Sequence, residues 1–176
     1  MSNLIVLHGP PASGKLTIAN ELSQIANTRV FHNHLTIDVA NSILEFGAAG
    51  FWELVGELRI LSLQSFFTHG EGHVITTWCF EDPDDLELYL RYKDIVNSAG
   101  GRVLLVFLNC DVASLENRIA VEHRQKMGKL TDVNRLREIL SYKNYAPIPD
   151  ELCIEINSAG TSAKENALSI VSAFSL

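Results

Sequence analysis

Short apolar runs alternate with amphipathic stretches along the chain. The runs at 4–8, 28–33, 73–78, 102–108 and 152–156 have the length of β-strands. Between and beyond them, apolar residues recur at helical spacing over about 15–26, 35–46, 51–69, 84–99, 112–125, 132–142 and 162–174. Several boundaries carry a chemical signal. Asp82-Pro83-Asp84-Asp85 reads as a helix start, with a capping carboxylate, a proline in the first position and acids in the first turn. Ser162-Ala163-Lys164-Glu165 has the form of a capping box, and Gly100-Gly101 reads as a helix stop. The run that follows, Arg102 to Leu108, is apolar on both faces and predicts a central strand of a parallel sheet. This alternation predicts a doubly wound α/β fold, with ligands at the carboxyl ends of the strands.

The strongest chemical signal sits between the first strand and the first helix. Gly9-Pro10-Pro11-Ala12-Ser13-Gly14-Lys15-Leu16-Thr17 is a G-x-x-x-x-G-K loop in the strand–loop–helix context of a phosphate site. Such a loop turns backbone N–H groups inward as an anion nest, and the helix behind it adds its positive end. Glycines at positions 9 and 14 let phosphate approach without a Cβ in the way. Lys15 is placed to reach the β- and γ-phosphates of a nucleotide, and a hydroxyl to hold Mg²⁺. Ser or Thr ordinarily follows the lysine directly. Here Leu16 does, and the hydroxyl is Thr17. A tight β-to-α turn that binds nothing is the bland alternative, but it has no use for a cation where the helix dipole disfavours one.

Composition narrows the field. The 176 residues carry a net charge of −7, with 47% hydrophobic and 20% charged residues, a balance that suits one domain spanning 1–176. The acidic balance argues against non-specific binding to nucleic acid. No apolar run approaches the ~20 residues of a membrane span, and 4–7 is too short for a signal-peptide core. Cys79, Cys110 and Cys153 are too scattered for a disulfide framework or a zinc site and read as buried free thiols. A cytoplasmic location is the corresponding expectation. Charge is uneven, however. Residues 118–137 hold six basic residues against two acidic ones, a net +4, which leaves −11 for the rest. A local basic cluster in an acidic chain fits a specific small anion.

Taken together, the glycine loop and the element order resemble the small P-loop kinases: shikimate kinase, the nucleoside-monophosphate kinases and chloramphenicol phosphotransferase-like proteins. The nucleoside-monophosphate kinases share the spacing that puts Thr two places after Lys, and this supports Thr17 as the magnesium-side hydroxyl. The resemblance implies a three-layer α/β/α domain with a five-stranded parallel sheet in the order 2-3-1-4-5. It also implies an acceptor site above strands 2 and 3, and a basic lid over about 118–130. ATP and Mg²⁺ are the implied cofactors, a small-molecule phosphate acceptor the implied partner, and a monomer or homodimer the implied state.

The same resemblance directs attention to four further places. At the end of the second strand, Phe31-His32-Asn33-His34 leads into a helix carrying Asp38. His34 or Asp38 is the candidate to receive or orient the acceptor's proton, with Asn33 beside them; histidine has a suitable pKa. On the helix over 51–69, Arg59 is the candidate to hold the acceptor, while Phe51, Trp52, Phe66 and Phe67 read as core or pocket wall. At the end of the third strand, Thr76 and Thr77 stand where a P-loop protein ordinarily carries an acid for Mg²⁺; Thr77 is a candidate acceptor or metal-water contact. In the lid, Arg118 and Arg124, followed by Lys126 and Lys129 around Gly128, are candidates to neutralise the moving phosphoryl group. The related kinases hold adenine with backbone from a loop such as Asn157-Ser158-Ala159-Gly160, and a plain β-to-α turn fits it as well. Each has a plainer reading: strand formers at Thr76 and Thr77, an ion pair at Arg59, a solvated basic face in the lid. The expected activity is ATP-dependent phosphoryl transfer to a small molecule. The alternatives are a nucleotide-binding module with little catalysis and, disfavoured by the charge, a polynucleotide kinase.

Overall fold

The computed structural model describes residues 2–26, 28–119 and 130–176. Five strands, β1 (Leu4–His8), β2 (Arg29–His32), β3 (Val74–Trp78), β4 (Val103–Asn109) and β5 (Cys153–Asn157), form one parallel sheet in the order β2-β3-β1-β4-β5. The expected α/β class and strand order are therefore what the chain adopts. The described helices are α1 (Lys15–Ala26), α2 (His34–Asn41), α3 (Phe51–His69), α4 (Leu86–Ser98), α5 (Val112–Ile119), α6 (Val133–Tyr142) and α7 (Ala163–Phe174).

Alternation along the strands builds the layers. Leu4, Val6, Val74, Trp78, Val103 and Leu105 face one side, where they pack with Ile60 and Leu63 of α3 and Tyr89, Tyr92 and Val96 of α4. Ile5, Leu7, Ile75, Leu104 and Val106 face the other, against Ile18, Ala19 and Leu22 of α1 and Ala167 and Ile170 of α7. Each such side chain, fully buried, contributes about 1.5–3 kcal/mol, more than helix propensity supplies per residue, so the sheet faces decide where the helices lie. β4 lies between β1 and β5 and is buried from Val103 to Leu108, the central position that its two-faced apolar pattern predicts.

Capping follows the sequence at one helix and departs from it at another. Ser162 and Glu165 form the capping box of α7. At α4, however, the helix begins at Leu86 with Asp85 as its N-cap, not at residue 84. The Asp85 carboxylate accepts the Glu81 N–H at 2.9 Å and so closes the 81–85 turn instead of capping the helix. Helix α2 ends at Asn41, short of the expected 46. Ser42 turns its hydroxyl back onto the Val39 carbonyl at 2.6 Å, and the chain then reverses through Gly47 and Gly50 so that Phe51 and Val55 pack on Ile37 and Ala40. Trp52, expected in the core or pocket wall, is 54% exposed. Of the three free cysteines only Cys110 is buried; Cys79 and Cys153 are half-buried. Among the described residues no helix is long and apolar enough to cross a membrane.

Candidate active site

The glycine loop joins the central strand β1 to α1. Its backbone turns through positive φ at Gly9 (133°), Ala12 (66°) and Gly14 (95°). At Gly9 the tolerance is strict: a Cβ there would lie 2.7 Å from the Leu108 carbonyl oxygen. The Lys15 side chain folds over the loop and is almost fully buried. Its ammonium donates to the Gly9 carbonyl at 2.8 Å, the Pro10 carbonyl at 2.7 Å and the Ser13 hydroxyl at 3.4 Å. No acid stands in the first turn of α1, so nothing on that turn competes with an anion for the helix end. A loop that is turned by positive φ, free of side-chain bulk at Gly9 and holding a cation fits a polyphosphate. Leu16 is half-buried and Thr17 exposed in the same turn. Among the described residues no cluster of three or more His, Cys, Asp or Glu is placed to hold a metal ion.

Above β2 and β3 the structure gathers several predicted residues. Asn33, the N-cap of α2, does not cap it with its side chain. Instead its Oδ1 accepts the Thr77 hydroxyl at 3.1 Å, while its N–H donates to the Thr77 oxygen at 3.2 Å. Thr76 is buried. His34 begins α2, and its ring lies 6.4 Å from that of His32. Asp38, one turn on, is exposed. Arg59 is only 8% exposed. Its Nε donates to the Thr36 hydroxyl at 3.3 Å, and its guanidinium lies over the Trp78 ring at 5.9 Å.

Two titratable groups share this corner. Burial pushes the Asp85 carboxyl above its usual range, against the pull of the Glu81 N–H and of the Arg59 charge. Burial likewise pushes the Tyr92 phenol up to about 12, with Arg59 again acting in the opposite direction. Asp85 thus faces Arg59 from the loop after β3, at the strand end where the sequence lacks an acid. In the sequence Asp85 has the look of part of a helix start; the packing of that loop turns it inward.

Arg118 lies on α5, and its guanidinium reaches the back of the glycine loop. Nη1 donates to the Ser13 carbonyl at 3.2 Å and to the Ser158 hydroxyl at 3.3 Å, and Nη2 donates to the Ser158 carbonyl. Ser158 in turn holds the end of β4, its N–H donating to the Asn109 carbonyl at 2.9 Å. The side chain therefore ties the glycine loop to the loops that follow β4 and β5. Arg124, Lys126 and Lys129, with most of the predicted lid, lie outside the described residues. Arg135 and Arg137 are on the exposed surface, paired with Glu138 at 2.5 Å and Glu116 at 2.6 Å. Replacing Arg118 with alanine removes charged donors from buried carbonyls, a loss on the order of 2 kcal/mol. The expected result is a lower Tm together with about tenfold weaker ADP binding by calorimetry, since the loop loses its fixed shape. Unchanged ADP affinity in a destabilised variant would make the tie purely structural.

His8 was not singled out by the sequence. It is the last residue of β1, fully buried, and sits between the rings of Phe80 and Phe107. Its Nε2 lies 3.7 Å from the Cys153 sulfur, and its Nδ1 has no hydrogen-bond partner among the described residues. Burial, aided by the nearby Lys15 charge, lowers its pKa to about 3. A neutral imidazole thus lies directly beneath the loop.

No protein-family model matches the sequence, and no curated protein is significantly similar to it. Solved structures are similar in fold. One, from Chloroflexus aurantiacus, matches with a TM-score of 0.72 at 15% identity, over 99% of this chain and 96% of that one. A gluconokinase from Sinorhizobium meliloti matches with a TM-score of 0.67 at 12% identity, over 99% and 91%. The APS kinase of Mycobacterium tuberculosis, solved with AMPPNP and APS, matches with a TM-score of 0.62 at 15% identity, over 99% and 98%. The chain thus has the fold of the small P-loop kinases.

Proposed function

We propose that the chain is an ATP-dependent, Mg²⁺-assisted phosphotransferase that acts on a small molecule. The observation that carries this reading is the glycine loop itself, with its positive-φ turns and the Lys15 ammonium on the Gly9 and Pro10 carbonyls, placed at the carboxyl end of the central strand. The similarity to a gluconokinase, and to an APS kinase solved with AMPPNP, supports it. Bound ATP would supply the electrophilic γ-phosphorus. Loop amides and Lys15 would hold the β- and γ-phosphates, and Thr17 would supply the hydroxyl for Mg²⁺, which offsets phosphate charge.

On the acceptor side, His34 or Asp38 takes the acceptor's proton as its oxygen bonds to phosphorus and the bond to the ADP oxygen breaks. Arg59 holds the acceptor. Arg118 keeps the glycine loop in shape, and Arg124 belongs to the charge that closes over the transferred group. The rival reading is a nucleotide-binding module, favoured by Thr76 and Thr77 in the place of an acid. Incubation with γ-labelled ATP, Mg²⁺ and a panel of hydroxyl- and phosphate-bearing metabolites separates the two. The expected result is a labelled product whose formation a chelator stops. Tight ADP binding with no transfer to any acceptor would support the rival.

A further inference from the structure

We infer that Thr36 is a positioning residue for the acceptor-side arginine, and that a hydrogen-bond chain from Thr77 through Asn33 and Thr36 fixes Arg59 to the turn that carries His34. Its role in turnover rests on the phosphotransferase reading; its geometry does not.

The chain is continuous and its direction is determined. A threonine hydroxyl has one proton to give. Thr77 gives its proton to Asn33 Oδ1 at 3.1 Å and accepts the Asn33 N–H at 3.2 Å. Thr36 gives its proton to the Asn33 carbonyl at 3.1 Å and accepts the Arg59 Nε–H at 3.3 Å. Asn33 is thus held through its N–H, its carbonyl and its side chain, and it is the residue directly before His34. Three elements, β3, α2 and α3, are joined through buried groups, Thr77 at 3%, Thr36 at 4% and Arg59 at 8% exposure, where water does not readily substitute for a lost partner.

This arrangement divides the labour within Arg59. The Nε–H is spent on Thr36, and the guanidinium carbon lies over the Trp78 ring, 5.9 Å from its centre. An acceptor would meet a guanidinium that is already oriented, with Tyr92 and Asp85 beside it. A guanidinium held in this way loses little rotamer entropy when a ligand arrives. It also explains why Thr77 stands where an acid is expected. Its hydroxyl is committed to Asn33, so it serves the acceptor helix and not the metal.

The test follows the Arg59 Nε–H by NMR in protein labelled with ¹⁵N. In the wild type its exchange with solvent is slow. Thr36→Val removes the acceptor and raises exchange at least tenfold, whereas Thr36→Ser, which keeps the hydroxyl, does not. Thr77→Val, two links away, raises it as well, and Thr77→Ser restores it. Should a valine variant fail to fold, Asn33→Ala breaks the same chain at Oδ1 and is read in the same way. Exchange at Arg59 that ignores Thr77→Val and Asn33→Ala would overturn the chain. In turnover, Thr36→Val raises KM for the acceptor about tenfold with KM for ATP unchanged, and Thr36→Ser recovers it. A uniform loss of kcat with no KM split would reduce Thr36 to a structural residue. If no acceptor supports turnover, the phosphotransferase reading fails, and the exchange measurement still decides the chain.

Discussion

Lys15→Ala lowers ATP turnover by a thousandfold or more while the protein keeps its fold. The ammonium is the one charge that the glycine loop itself carries, and it sits on the Gly9 and Pro10 carbonyls at 2.8 and 2.7 Å. Phosphoryl transfer is catalysed largely by positioning and by fixed charge, and loss of a single fixed donor in a water-poor site costs about 10²–10³ in rate. A full cation against the developing charge on phosphate puts the loss at the upper end of that range or beyond it. Stability moves far less. Lys15 is buried at the positive end of α1, where a cation is disfavoured. Removing it relieves that repulsion and a desolvation cost, while leaving two carbonyls short of a donor. These contributions oppose one another, so the Tm shifts by only a few degrees. Measured ATP turnover beside a thermal melt distinguishes this from general damage. Turnover retained in a folded Lys15→Ala protein would end the proposed mechanism.

The contrast between Lys15 and Arg59 shows what a sequence makes visible here. The setting of Lys15 was legible because it is local: loop, strand before and helix behind all lie within 4–26, and the residues that hold its ammonium are two to six positions away. The sheet was legible for a similar reason, since period-two and two-faced apolar runs report burial residue by residue. Arg59 could be proposed only from a resemblance, because its partner Thr36 is 23 positions away and Thr77 lies 44 from Asn33. No spacing within a helix or strand encodes such pairings. Asp85 was misread in the opposite sense. Its neighbours Asp82, Pro83 and Asp84 make a convincing helix start, and the turn that directs its carboxylate to the Glu81 N–H depends on packing after β3. Thr36 gave no signal at all, as a β-branched residue in an apolar helix looks like any other core contact.

His8 closes the 4–8 strand run with no motif to mark it out, and its burial makes the second large prediction. The folded protein holds its imidazole at a pKa of about 3, against 6.5 for an ordinary histidine, through burial first and the Lys15 charge second. The sign follows from proton binding: below pH 6.5 the unfolded chain takes up a proton that the folded chain refuses. Stability is therefore complete above pH 6.5 and falls as the pH drops toward 3. The slope is at most about 1.4 kcal/mol per pH unit, or about 4–5 kcal/mol over the whole window. That is a large share of the 5–15 kcal/mol typical of a folded domain. His73, whose Nδ1 accepts the Asn3 N–H at 3.0 Å and whose pKa is also lowered by burial, adds to the slope in the same direction. His8→Leu separates the two. It removes the buried Nδ1, unpaired among the described residues, along with the titrating group, so the variant loses less stability than the wild type between pH 6.5 and 4, and the His73 contribution remains in both. Urea denaturation at half-unit pH intervals measures the difference. Parallel profiles for the two proteins would mean that His8 accepts its proton in the folded state, and that the floor of the glycine loop is open to water.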